Sequence, residues 1–173
     1  MENNLKEENQ FHIWRTYWGK LICDHDERFP STLYGFENIS PENLGKNSFE
    51  FTHESTIWGF IQNGSTEALV DGDEWSLRSG QWFNLTGKKI SLNFSENSKV
   101  YITARFDYIG LNSMGGPIET TGRLQYIDGC TDTLLAFPPI QGDPCLNLLH
   151  FPPGINQTMH THPSTRPGMA SSG

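Results

Sequence analysis

The sequence predicts an all-β protein, and three observations lead to this. The chain of 173 residues contains many short runs in which apolar and polar residues alternate with a period of two. Two dipeptides that favour tight turns, Asn63-Gly64 and Asp71-Gly72, separate three of these runs. Long amphipathic patterns with the helical period of 3.6 residues do not occur. We therefore expect short strands and little helix.

The strands follow one another along most of the chain. One or two are expected in 11–23, and the rest in 48–54, 56–62, 66–70, 74–77, 82–85, 90–94, 100–106, 123–127, 133–137 and 146–151. Pro30 and Pro41 bracket a stretch that reads as rich in loops. The two tight turns lie eight residues apart with short strands between them, and this spacing predicts an antiparallel meander.

Composition divides the chain into four segments. Residues 1–10 are charged and polar, which predicts a disordered tail. Residues 109–121 contain three glycines and a proline among small polar residues, which indicates a linker. The prediction is therefore a first β-unit at 11–108 and a second unit at 122–173.

Charge narrows the range of partners. The formal net charge is -8 and Lys and Arg form no cluster, which argues against binding to nucleic acid or to an anionic membrane. The polar N-terminus has no apolar stretch of the kind found in a signal peptide, so the expected location is the cytoplasm. The three cysteines at irregular spacing are expected to be reduced.

The sharpest motif lies near the C-terminus. Gly154 is followed by five residues and then by His160-Thr161-His162. Two histidines at i and i+2 of a strand point to the same face, so their imidazoles can converge on one cation. Three residues separate His162 from Arg166, and six residues separate Arg166 from Gly173.

This stretch resembles the first signature of the cupin superfamily. That signature consists of a glycine, five residues, His-x-His, three or four residues, a glutamate, six residues and a glycine. Both glycines and both histidines keep the spacing, whereas Arg166 stands at the position of the glutamate. The resemblance implies that His160 and His162 are ligands of a divalent metal ion.

A degenerate copy of the pattern lies upstream. It comprises Gly45, Phe51, His53, Ile57 and Gly64 for the first signature, and Gly80, Thr86 and Ser91 for the second. Only His53 is retained of the four positions that carry metal ligands in the family. The first unit thus resembles a cupin that keeps the barrel and has lost the metal.

The resemblance implies two tandem cupin-type (RmlC-like) jelly-roll or β-barrel units, a bicupin arrangement. The second signature, which supplies the last histidine, would begin at Gly173. The second unit is therefore expected to be incomplete, and the chain to be a fragment. Iron, manganese, nickel or zinc is implied for the complete protein, while two imidazoles alone predict no stable metal binding in this chain.

Three functions stay open at this point. The first is a metal-dependent enzyme, a dioxygenase or isomerase acting on a small polar molecule. The second is a non-catalytic cupin that binds or senses a small ligand, and the third is a structural β-barrel module. Arg166 is a candidate for binding the carboxylate of a substrate, with an exposed loop arginine as the alternative. No catalytic residue is identified, and the resemblance together with an open sheet edge favours a homodimer.

Two further groups have simple structural explanations. Four aromatic residues, Trp58, Trp75, Trp82 and Phe83, either line a ligand pocket or pack in the core, and core packing is the simpler account. The stretch Asp128-Gly129-Cys130, with Asp132 after it, has the composition of a turn.

Overall fold

The structure is a computed structural model that describes residues 13–24, 28, 30–138, 145–160 and 168–170. These residues form β1 (Trp18–Asp24), β2 (Ser31–Glu37), β3 (Ser48–Phe51), β4 (Ser55–Asn63), β5 (Ser65–Val70), β6 (Asp73–Arg78), β7 (Trp82–Gly87), β8 (Ile90–Phe94), β9 (Lys99–Phe106), β10 (Ser113–Gly115), β11 (Leu124–Gln125), β12 (Thr131–Ala136) and β13 (Leu146–His150). One turn of 3₁₀ helix spans Ile127–Gly129. Within these ranges no helix is long and apolar enough to cross a membrane.

Strands β2 to β9 form two facing four-stranded layers. One layer has the order β2-β9-β4-β7, flanked by β1 and β10, and the other has the order β3-β8-β5-β6. All neighbouring strands are antiparallel. This interleaved order of eight strands is a jelly roll, so the predicted all-β jelly-roll fold is confirmed for residues 31–106.

The core lies between the two layers. Alternate residues of each strand point inward, because side chains of a strand alternate between its two faces. The fully buried ones include Phe36, Ile57, Phe83, Leu92 and Ile102. Burying each such side chain contributes about 1.5–3 kcal/mol. Aromatic rings contact one another at one end of this core, where the centroids of Phe36 and Phe49 are 4.9 Å apart.

Strand β2 replaces the loop that was expected between Pro30 and Pro41. It lies between β1 and β9, and nearly all of its residues are buried. Leu33 and Tyr34 point to opposite faces of the sheet, and both are covered. A strand covered on both faces loses the apolar-polar alternation, so the pattern did not identify it.

The two Gly-containing turns differ in their role. Asp71 and Gly72 have φ of 51° and 106° and form the tight hairpin between β5 and β6, as predicted. Asn63-Gly64 instead joins β4 to β5, which lie in different sheets, so the predicted meander is wrong. The dipeptide requires a positive φ at Gly64 but does not determine which strand pairs with which.

The C-terminal part contributes a separate three-stranded sheet. Its order is β11-β12-β13, with antiparallel pairs throughout. The predicted linker at 109–121 contains β10, which pairs with β7 of the jelly roll. The division into units at 11–108 and 122–173 remains a prediction.

Candidate functional site

The jelly roll carries apolar side chains at positions where the motif spacing predicts metal ligands. Phe51 and Ile57 are 2% and 0% exposed and belong to the core. His53 follows the end of β3 and is exposed, with its Nδ1 3.3 Å from the Thr52 hydroxyl. The motif positions in this unit therefore bring no set of donor atoms together.

The positions of the second signature in this unit also lie away from the core. Ser91 donates a hydrogen bond to Glu50 at 2.9 Å, and Lys89 forms a 3.1 Å ion pair with the same carboxylate. Both interactions lower the pKa of Glu50, and the one with Lys89 has the larger effect. Thr86 shares a 2.9 Å hydrogen bond with the hydroxyl of Thr56. These contacts stabilise pairing between strands.

The four aromatic residues considered for a ligand pocket are divided among three environments. Phe83 is fully buried in the core, and the partly buried Trp75 packs against this core. Trp58 is buried on the opposite face of the six-stranded sheet, where the guanidinium of Arg105 lies 5.4 Å from its ring centroid. Trp82 lines a cleft of about 220 Å³ between the jelly roll and the three-stranded sheet.

Two loops of the C-terminal part meet near the predicted histidine motif. The first connects β11 to β12 and carries Asp128 in a left-handed conformation, with φ 56° and ψ 33°. The second follows β13, turns at Gly154 and returns toward the first loop. The backbone N–H of Thr158 donates a 2.5 Å hydrogen bond to Asp128 Oδ2, which joins the two loops.

His160 lies directly after this junction. Its Nδ1 is 2.7 Å from the carbonyl oxygen of Thr158, and a carbonyl oxygen can only accept, so Nδ1 carries the proton. This hydrogen bond assigns the lone pair of the neutral ring to Nε2, which is the atom that can ligate a metal. The chemistry of His160 therefore fits a ligand role.

The other predicted site residues, His162 and Arg166, lie outside the described residues. Residues 151–160 form no strand, so the strand on which the alternation argument rests does not begin before His160. The convergence of the two imidazoles stays a prediction. Among the described residues, no group of three His, Cys, Asp or Glu side chains could hold a metal ion.

Asp128 is the residue of this site that the sequence did not identify as functional. Hydrogen bonds from Thr158 lower the pKa of its carboxyl group, and the nearby His160 lowers it further. The sequence placed Asp128 in a turn, which is correct, but its partner lies 30 residues away. A contact across that separation leaves no local signal in the sequence.

Comparisons with known proteins give only distant likenesses. No protein-family model matches the chain, and no curated protein matches it. A putative glyoxylate-induced protein from Pseudomonas aeruginosa is 8% identical over 83% of this chain and 67% of that chain, with a TM-score of 0.41. A cupin protein from Bacteroides fragilis is 12% identical over 60% and 92%, with a TM-score of 0.36. The EutQ protein of Clostridium difficile is 13% identical over 45% and 71%, with a TM-score of 0.30.

Such identities carry no information on activity, so the fold assignment rests on the topology of this chain. Two facing antiparallel layers, interleaved in the order β2-β9-β4-β7 and β3-β8-β5-β6, contain all eight strands of a jelly roll. Residues 31–106 of the chain therefore have the jelly-roll fold to which the cupins belong.

Proposed function

We propose that the chain belongs to a metal-dependent bicupin in which the first unit is structural and the second holds a divalent metal ion. The reaction is that of a dioxygenase or isomerase on a small polar molecule. The observation that supports this is the 2.7 Å contact between His160 Nδ1 and the carbonyl oxygen of Thr158, from which we infer that Nε2 is free to act as the ligand atom. A bound metal ion would supply Lewis-acid or redox chemistry there.

The interior of the first unit supports the structural role that we propose for it. Its interior is filled by apolar side chains such as Phe36, Phe83 and Leu92, all fully buried. The remaining metal ligands must come from outside the described residues, with His162 as the predicted second imidazole. Arg166 remains the candidate for binding a substrate carboxylate. The homodimer, the small-molecule ligand and the cytoplasmic location remain predictions.

Metal content tests the proposal. Plasma mass spectrometry is run on this chain and on the product of the natural gene, each incubated with manganese, iron, nickel or zinc and then desalted. We expect stoichiometric metal in the gene product and little in this chain, because two imidazoles alone bind weakly. His160→Ala should abolish the binding.

His53→Ala is the matched control, since it removes an exposed imidazole that lies outside the second unit. It should leave the metal content unchanged. Absence of metal in both proteins would overturn the proposal. So would equal losses on His160→Ala and His53→Ala, because the binding would then not depend on the motif.

A further inference from the structure

The cleft of about 220 Å³ between the jelly roll and the three-stranded sheet lies outside the barrel interior and is lined mainly by apolar side chains. The jelly roll contributes the indole of Trp82, and the three-stranded sheet contributes Leu135 of β12 and Leu148 of β13. Pro117 and Ile118, which follow β10, also line it. The cleft therefore offers apolar surface from both sheets and from the chain that connects them.

Hydrogen bonds fix the connecting chain to both walls of the cleft. The backbone N–H of Ile118 donates to the carbonyl oxygen of Gly80 at 2.8 Å, which ties the segment to the jelly roll. The backbone N–H of Arg123 donates to the hydroxyl of Thr133 at 2.9 Å, which ties it to β12. Sites for small molecules are usually formed in this way before the ligand arrives.

The indole of Trp82 supplies a flat aromatic surface beside the cleft. A Cβ added at Gly115 would lie 2.8 Å from each of three atoms of the indole ring, a position above the ring plane. The backbone of Gly115 therefore packs against one face of the indole. A larger residue at this position would push the ring away from β10. Aromatic ligands gain more from such a surface than aliphatic ones, because two rings can stack or meet edge to face.

An ion pair provides the charge in the cleft. Among the described residues that line it, the charged ones are Glu119 and Arg123. Arg123 donates from Nε to Glu119 Oε2 at 2.8 Å and from a terminal nitrogen to Oε1. This two-point geometry is the one in which a guanidinium group binds any carboxylate.

The position of this ion pair allows its carboxylate to be exchanged. Glu119 and Arg123 also line a wider surface depression of about 540 Å³ formed by residues 118–123, so the pair lies where the cleft meets this depression. The side chains of Glu119 and Arg123 are 48% and 72% exposed. Exposed ion pairs contribute little stability, so replacing Glu119 by another carboxylate costs little.

We propose that the cleft binds a small aromatic carboxylate, whose ring packs against Trp82 and whose carboxylate replaces Glu119 on Arg123. The apolar walls remove the ring from water, and the guanidinium orients the molecule. Glu119 acts as an internal competitor that occupies Arg123 when no ligand is bound. The site needs no metal ion and lies outside the barrel interior, so it does not depend on the proposed function.

Titration of the full chain with benzoate tests the site, with the indole N–H signal of Trp82 and the Nε–H signal of Arg123 followed by NMR. Benzamide carries the same ring without the charge, and acetate carries the charge without the ring. We expect benzoate to shift both signals and to bind about tenfold more tightly than either analogue, because ring and carboxylate each contribute. The indole of Trp75, which packs against the core of the jelly roll, is the internal reference.

Substitutions at the ion pair should act in opposite directions. Arg123→Gln should weaken benzoate binding about tenfold and leave benzamide binding unchanged, because it removes the charged donor. Glu119→Gln should strengthen benzoate binding, because an amide competes less well than a carboxylate for the guanidinium group. Glu50→Gln is the matched control, since Glu50 is 49% exposed and pairs with Lys89 outside the cleft. It should change neither affinity.

The walls are tested by Gly115→Ala, which should displace the indole of Trp82 and weaken the binding of benzoate and benzamide alike. Both ion-pair variants change exposed side chains, so the test does not depend on a variant that fails to fold. A benzoate titration that shifts Trp82 no more than Trp75 would overturn the proposal. Equal affinities for benzoate and benzamide, or a Glu119→Gln variant that binds benzoate no better than the parent chain, would overturn it as well.

Discussion

At the scale of single residues, the buried phenol of Tyr101 makes stability depend on alkaline pH. Tyr101 is 9% exposed, and burial raises its pKa to about 12 from an ordinary value of 10.0. A raised pKa contributes stability that is present below pH 10 and is lost as the pH rises toward 12. Two pKa units correspond to about 3 kcal/mol. We expect urea unfolding to show this loss between pH 10 and 12, and to show a shallower loss in Tyr101→Phe.

The control variant for this prediction removes the hydroxyl group that donates a hydrogen bond to the phenol. Thr103 is 2% exposed and donates a 3.0 Å hydrogen bond to Tyr101 Oη. Thr103→Val removes that donor but keeps the phenol, so the alkaline slope should remain. Tyr101→Phe should also cost about 1–3 kcal/mol at pH 7, because it leaves the buried Thr103 hydroxyl without its acceptor. An unchanged slope in Tyr101→Phe would contradict the prediction.

Single residues also show how far the sequence can lead to a site. His160 was identified because its spacing from Gly154 is a local property of the chain. Its tautomer follows from the carbonyl of Thr158, and its link to Asp128 from the return of the second loop. Both features depend on a contact between two loops that are far apart in the sequence, so the local sequence of either loop does not predict them.

At the scale of elements, strand β4 depends on a glycine at its centre. A Cβ at Gly59 would lie 2.0 Å from the carbonyl oxygen of Tyr101 and 3.0 Å from the ring of Phe83. The carbonyl belongs to β9, which pairs with β4 in the middle of the sheet and cannot move aside cheaply. We expect Gly59→Ala to lower the free energy of unfolding by about 3 kcal/mol or more, as measured by urea denaturation.

Gly168→Ala is the matched substitution, since no atom of the described residues lies within 4 Å of a Cβ placed there. It should leave the free energy of unfolding within about 0.5 kcal/mol of the parent chain. If Gly59→Ala were as stable as Gly168→Ala, the close approach of β4 to β9 would be wrong.

The elements differ in how clearly the sequence predicts them. β8 was predicted at 90–94 and is found at Ile90–Phe94, because only one of its faces is buried and the alternation is clean. β2 was missed because both of its faces are covered. β10 was missed because a strand of three residues at a sheet edge is formed by its pairing with β7 and not by its composition.

At the scale of the whole molecule, the apolar core is distributed unevenly. Within the described part of the chain, the sixteen buried residues of the main core cluster all lie in strands β2 to β9. After β9, the buried hydrophobic residues among the described ones are Cys130 and Ala136. Leu124, Leu134 and Leu149 of the three-stranded sheet are 36% to 62% exposed. The jelly roll therefore carries most of the hydrophobic stabilisation.

This imbalance predicts two levels of stability within one chain. Regions with few buried apolar contacts open at lower free energies than the core of the same protein. We expect the backbone amides of β11, β12 and β13 to exchange with solvent through a partial opening that leaves β2, β4 and β9 protected. Hydrogen exchange followed by mass spectrometry, at increasing urea below the main transition, measures both sets of amides in the same sample.

Leu77→Ala in the jelly roll should lower the protection of β4 and β9 by about 2–5 kcal/mol, because the side chain of Leu77 is fully buried there. Equal protection of the jelly roll and the three-stranded sheet at every urea concentration would contradict this prediction, because the chain would then unfold as one cooperative unit.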